Sequence, residues 1–417
     1  MKHIRLESHA LTCGVLLLAC IVHTAYGQST PAARVNGTLT EIDGIPVLRV
    51  WGTPYERGYA QGFYFAEKIV SVADMLIGTE KFGGGIDGYT QRILPRLRQM
   101  EIETPYQDEL RGLVAGVEAR FGGPVVIPRL QRHLQYTELV ALNCLADVQA
   151  VGCSSFAAWG RLTADGDTIA GRNLDVPTVV GLSKVNVVIV NTPSDNGKAL
   201  GWVSVNWPGL TGCFTGMSAE GVTVNLNDAK GHATTVDSGF TPRLFILREA
   251  IESARPETAF EDVGRVLRKH KCTVGSNVMV ARPYDKMGSA AQVFEYDGDL
   301  ATSQGVTARP PVNGANFIIC TSHYRARSKP EQCDRYDRYR DVLDRIEGSS
   351  GRHRVTCERG WKMLRSAIMP SRTTYQSVVF EPNKRLMHVA FSADGQHAPQ
   401  RRSVTLDVAK LLAGEGQ

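Results

Sequence analysis

The chain has 417 residues, 43% hydrophobic and 21% charged, a composition that can bury a substantial core and does not suit a disordered or low-complexity protein. Its formal net charge of +5 is spread without long basic runs, which argues against nucleic acid as a partner.

The first residues read as a leader rather than as fold. Lys2 and Arg5 supply the charge, residues 11–22 are apolar but too short to span a bilayer, and Ala25-Tyr26-Gly27 offers small residues where a signal peptidase reads. Cleavage after Gly27 and export, secreted or periplasmic, are expected. A lipoprotein at Cys20 is the weaker alternative, because Ile21-Val22 continue apolar past it. No later stretch is apolar enough for a membrane helix. Removing 1–27 leaves Cys144, Cys153, Cys213, Cys272, Cys320, Cys333 and Cys357. An odd number predicts up to three disulfides and a free thiol. No CxxC or His-rich spacing suggests a metal site, and no cofactor is expected.

Residues 28–37 are a loose lead-in, and residues 40–50 alternate around Asp43-Gly44 as a hairpin. Thr53, Pro54 and Glu56 mark a capped helix start. Ala66, Ile69, Val70, Ala73 and Leu76 continue at helical spacing, and Gly58 and Gly62 share one face suited to close helix packing. Further helices are predicted over 93–120 and 130–144. From Cys153 the period changes to two. Strands are predicted over 153–160, 168–173, 185–190, 201–205, 221–226, 277–281, 292–296, 316–320, 377–381 and 385–391. Helices intervene over 244–252, 258–269 and 333–346. This order predicts a layered α+β domain.

The chemistry centres on Gly152-Cys153 and on Arg172 and Asp175 in the next strand. A free thiol has a pKa near 8.5, so a nucleophilic cysteine needs a base or a neighbouring positive charge. The papain signature after the cysteine is absent. If the Gly152–Cys153 bond is cut, the freed α-amine, with an intrinsic pKa near 7.7–8.0, lies within reach of the thiol as its base. Glycine before the cysteine would suit attack on the preceding carbonyl in a strained turn.

Gly152-Cys153-Ser154-Ser155 followed by Gly171-Arg172-Asn173-Leu174-Asp175 resembles the cysteine N-terminal-nucleophile hydrolases. These include choloylglycine hydrolases, acid ceramidases and, closest in pattern, the isopenicillin-N acyltransferase-like family. Gly52-Thr53-Pro54-Tyr55-Glu56-Arg57-Gly58, Gly275-Ser276-Asn277 with Phe294-Glu295-Tyr296-Asp297, and Ser377 to Pro382 look like further segments of that pattern. The resemblance implies a four-layer αββα sandwich. It also implies self-cleavage into residues 28–152 and 153–417, which stay packed as a heterodimer with higher oligomers left open.

Carried over, Cys153 is nucleophile and owner of the base, Asp175 orients the α-amine, and Arg172 lowers the thiol pKa. Strict alternation puts Arg172 and Asp175 on opposite faces, so a bulge or strand end is expected between them. Asn277 is the oxyanion donor, Asn225 or Asn227 a second pocket group, and Arg335 a catalytic arginine with Arg338 as its rival. Ser322 replaces the Asn often found before His323, and a papain-type reading would make His323 the base. Trp159, Trp202 and Trp207 read as core or as the wall of an acyl pocket. The expected reaction is attack on a linear N-acyl amide through a thioester, resolved by water or an amine. A lipid-directed hydrolase and a catalytically silent binding protein are the competing readings.

Overall fold

The computed structural model describes residues 35–80, 84–148, 152–194, 198–233, 238–298, 305–329, 332–349, 353–393 and 395–414. The expected leader, with its Gly27 and Cys20 alternatives, lies outside them.

Asp43 and Gly44 both take positive φ, 47° and 82°, as a two-residue type I′ turn requires, and join strands Gly37–Ile42 and Ile45–Gly52. Thr53 caps helix Pro54–Tyr64, and its own N–H donates to Glu56 Oε2 at 2.7 Å, completing the expected capping box. This helix crosses Thr104–Phe121 at backbone contact. A Cβ on Gly58 would stand 1.8 Å from the Glu109 carbonyl oxygen, and one on Gly112 2.1 Å from that of Tyr55. Gly62 and Gly116 repeat the arrangement one turn on, so four glycines make one crossing.

The helix predicted over 93–120 is interrupted. It ends at Leu97 and resumes at Thr104–Phe121, with Pro105 in its first turn where a missing N–H costs nothing. The helix predicted over 130–144 begins only at Tyr136, because Val126–Ile127 and Arg132–His133 pair as a small ribbon ahead of it.

Among the described residues the strands form two large sheets. One has nine strands in the order Gly37–Ile42, Ile45–Gly52, Val187–Pro193, Trp202–Asn206, Thr215–Ser218, Thr223–Ala233, Val274–Ala281, Ala291–Tyr296 and Val306–Arg309. The other has six, in the order Phe317–Cys320, Gly152–Ala158, Ile169–Val176, Thr373–Glu381, Leu386–Phe391 and Val404–Asp407. Pairing is antiparallel except between Ile45–Gly52 and Val187–Pro193.

Three cores fix the layers. Leu48, Leu226 and Val278 of the larger sheet pack against Ile69, Leu113, Leu139 and Leu247 from helices on its outer side. Val190, Val203 and Met279 meet Ala157, Ala170 and Val389 between the sheets. Phe156, Ile169 and Val379 of the smaller sheet pack under Tyr339, Leu343 and Leu364 from helices Asp334–Glu347 and Cys357–Ser366. The order is helices, sheet, sheet, helices: an α+β sandwich with the expected four layers.

All seven described cysteines are free thiols, so the expected disulfides are not formed. Cys144, Cys213 and Cys272 sit in the first core, Cys320 between the sheets and Cys357 against the third core. The odd count therefore does not single out Cys153.

Candidate active site

Cys153 is the second residue of strand Gly152–Ala158 and is fully buried. Gly152 is ordinary extended strand opposite Asp175, without positive φ, so the strained turn expected there is absent.

Alternation along this strand turns Cys153, Ser155 and Ala157 toward the larger sheet, with Cys153 in the first core, Ser155 against Asn227 and Ala157 in the core between the sheets, while Ser154 and Phe156 face the outer helices. Arg172, opposite Ser155, lies on the inner face. Its Nη2 donates to Cys153 Sγ at 3.2 Å and to the Leu226 carbonyl at 2.7 Å, and its Nη1 to the Thr215 hydroxyl. Asp175 lies on the outer face. It accepts from Arg335 Nη1 at 3.1 Å and from Thr374 Oγ1 at 2.6 Å. The same Arg335 Nη1 donates to the Cys153 carbonyl at 2.8 Å.

No bulge separates Arg172 from Asp175, since the pairing with the cysteine strand is continuous. The register shift sits on the next strand, between Thr374 and Gln376, where it brings Thr374 opposite Asp175. The two residues flank Cys153 from opposite faces.

Burial pushes the Cys153 thiol up to about 11, against the opposing pull of Arg172, while Asp175 adds to the rise. The expected lowering by Arg172 is real but smaller than desolvation in the uncut chain. Burial also raises Asp175, with Arg335 and Thr374 opposing it.

Asn277 does not offer a free donor. Its Nδ2 is committed to the carbonyls of Thr321 at 2.8 Å and His323 at 2.9 Å, and its Oδ1 has no partner. Asn227 stands directly across from it. Asn227 Oδ1 accepts from Ser155 Oγ at 3.2 Å, and its buried Nδ2 has no partner. Asn225, two residues earlier on the same strand, has an unpartnered Oδ1. Asn227 Nδ2 is therefore an uncommitted buried amide donor beside the cysteine strand.

Arg338 is exposed and donates to the Ser366 carbonyl at 2.7 Å, which leaves Arg335 as the arginine at Cys153. His323 serves Cys333, not Cys153. Burial raises the Cys333 thiol, but His323, the Tyr336 amide and Thr321 outweigh it and bring it down to about 6. Trp159 is packed between the sheets, and Trp202 and Trp207 belong to the first core. The His/Cys/Asp/Glu groups spaced to hold a metal, among the described residues, do not include Cys153.

No family model matches the chain, and no curated protein matches it. Among solved structures it is similar to a Caenorhabditis elegans ortholog of N-acylethanolamine-hydrolyzing acid amidase, at 17% identity over 55% of this chain and 93% of that one, with a TM-score of 0.41. It is similar to a mutant conjugated bile acid hydrolase from Clostridium perfringens at 11% identity, over 62% of this chain and 94% of that one, with a TM-score of 0.42. Penicillin V acylase from Agrobacterium tumefaciens is similar at 13% identity, over 58% and 84%, with a TM-score of 0.38.

Sequence reasoning missed Thr374, which only the register shift brings to Asp175. It also missed a buried network in which Arg243 Nη1 meets Asp228 Oδ1 at 2.7 Å and its backbone N–H donates to Asp147 Oδ2 at 3.2 Å. Burial lifts Asp147 to about 6 against the pull of Arg243. Its members come from distant segments, so no local pattern announces it.

Proposed function

We propose that this chain is a cysteine amidohydrolase that activates itself by cutting Gly152–Cys153 and then cleaves linear N-acyl amides. The observation that carries the reading is the double clamp on Cys153: Arg172 at its sulfur on one face, and Arg335 with Asp175 at its carbonyl on the other. A structural cysteine has no need of two buried arginines, each costly to desolvate.

In the first reaction the Cys153 thiol attacks the Gly152 carbonyl, moving that acyl group from nitrogen to sulfur. Water then hydrolyses the thioester, leaving a carboxylate on Gly152 and a free thiol and α-amine on Cys153. Asp175, directly opposite Gly152, is placed to hold the new amine. In the second reaction the amine takes the thiol proton as sulfur attacks the substrate amide, and the amine product leaves with a proton. Water resolves the acyl-enzyme. Asn227 Nδ2 is the donor proposed for the developing oxyanion.

Residues 28–152 and 153–417 stay together in this reading. Ile45–Gly52 is an internal strand of the larger sheet, and Glu109 Oε2, held by Arg57 at 3.1 Å within the first segment, accepts from Arg248 at 2.7 Å across the boundary. Export through the leader favours water over an acyl-carrier donor. A substrate screen with N-acyl amino acids, bile-salt conjugates, penicillins and phospholipids, with Cys153→Ala as control, tests the activity. Cys153-dependent turnover of an N-acyl amide supports it; turnover of phospholipids alone overturns it.

A further inference from the structure

On the outer face of the smaller sheet, away from Cys153, three side chains of metal-binding type converge. Cys357 opens helix Cys357–Ser366, Glu381 closes strand Thr373–Glu381, and His388 lies on the adjacent strand Leu386–Phe391. One ligand atom from each lies within 4.8 Å of the others. We infer that Cys357, Glu381 and His388 form a zinc site that ties helix Cys357–Ser366 to the strand pair beneath it.

The donors select the metal. A thiolate, an imidazole and a carboxylate together suit zinc, whereas calcium and magnesium take oxygen alone. A tetrahedral zinc with bonds of about 2.0–2.3 Å holds its ligand atoms roughly 3.3–3.8 Å apart. With all three ligand atoms within 4.8 Å, the set needs to close at sulfur by no more than about 1 Å, and to open between His388 Nε2 and Glu381 Oε1 from 2.7 Å.

The surroundings orient the ligands. His388 Nδ1 is hydrogen-bonded to Thr405 Oγ1 at 2.9 Å, which leaves Nε2 to face the site, the usual support for a metal-binding imidazole. Glu381 Oε2 accepts from Lys384 Nζ at 2.6 Å, fixing the carboxylate with Oε1 inward. Lys384 also meets Asp165 at 2.7 Å. The charges balance: zinc against Cys357 and Glu381, Lys384 against Asp165. Binding forms Zn–S, Zn–N and Zn–O bonds and releases to solvent the thiol proton and the proton shared by His388 and Glu381. Water takes the fourth position.

The site is separate from that of Cys153. Thr374, at Asp175, and Glu381 are seven residues apart on one strand (374 to 381), roughly 23 Å at about 3.3 Å per residue. No sequence spacing reveals it, since the ligands lie 24 and 7 positions apart (357 to 381, 381 to 388) and match no motif.

The test uses the full chain stripped with chelator and titrated with zinc and with cobalt(II). One zinc per chain that Cys357→Ser does not bind, and a thiolate-to-cobalt charge-transfer absorption, are expected. Thr405→Val should weaken binding about 10–100-fold by freeing the imidazole. The cobalt spectrum of the unmodified chain needs no variant to fold. Its lack of a thiolate band, or equal zinc uptake by Cys357→Ser, overturns the site.

Discussion

Arg335 Nη1 donates both to Asp175 Oδ2, at 3.1 Å, and to the carbonyl oxygen of Cys153, at 2.8 Å, so a single nitrogen ties the carboxylate to the residue it is proposed to serve. Arg335→Ala leaves Asp175 buried without its cation. The expected cost is about 3–5 kcal/mol in chemical denaturation, because an uncompensated buried charge remains. Arg335→Lys keeps the charge but not the fork, and should retain more stability than processing. Equal processing in Arg335→Lys and the unmodified chain would contradict the positioning role.

Asn227 and Asn277 face each other across two strands and should separate cleanly in kinetics. Asn227→Ala removes an uncommitted donor, and turnover is expected to fall about 10²–10³-fold, beside a stability loss of about 1–3 kcal/mol because Ser155 Oγ loses its acceptor. Asn277→Ala strips two buried carbonyls of their donor and is expected to cost about 1–3 kcal/mol in unfolding free energy. Steady-state rates beside denaturation curves read both effects.

Thiol labelling should follow the displaced pKa values of Cys153 and Cys333. In uncut chain Cys153, at about 11, stays protonated at pH 7, and its alkylation should rise about tenfold per pH unit until the pH reaches that value. Cys333, at about 6, is already thiolate at neutral pH and should label first. The sign for stability follows: the raised Cys153 thiol contributes fully below its unfolded pKa, and that contribution is lost as pH rises through about 11. Iodoacetamide labelling with peptide mass spectrometry, on precursor separated from cut chain by denaturing gel, checks the order.

Much of this was legible in sequence because it rests on local rules. Asp43-Gly44, the Thr53–Glu56 box and the change of period at Cys153 each follow from a few neighbouring residues, and each element is present. Gly58 and Gly62 announced half of a helix crossing, but Gly112 and Gly116, which complete it, passed as ordinary helix residues. Alternation correctly put Arg172 and Asp175 on opposite faces. It could not say that a helix from the fourth layer would bring Arg335 to meet Asp175, and so a bulge was expected where none exists. Asn277 does not offer the free donor expected of it because the Thr321–His323 turn, remote in sequence, takes both of its N–H groups, and Asn227 is proposed in its place. The cysteine count misled because a number says nothing of where each thiol packs, and all seven described thiols stay free.

The crossing gives a further expectation. Gly58→Ala places a methyl where the Glu109 backbone stands, and the helices must part or tilt. Overpacking of this kind costs about 1–3 kcal/mol or more, with a lower thermal midpoint as the readout. An unchanged midpoint would show that the helices can separate freely.

The two segments on either side of Gly152 are expected to remain one particle after cleavage, joined by the Glu109–Arg248 contact and by strand Ile45–Gly52 within the larger sheet. Native mass spectrometry of cut protein should show both chains together, and Glu109→Gln should weaken that association. Separate chains under native conditions would contradict it.

The central claim is tested most directly by the N-terminus of the larger fragment. Intact-mass and N-terminal analysis of active protein should find a chain beginning at Cys153, absent in Cys153→Ala. Active protein whose Gly152–Cys153 bond is whole would contradict the account.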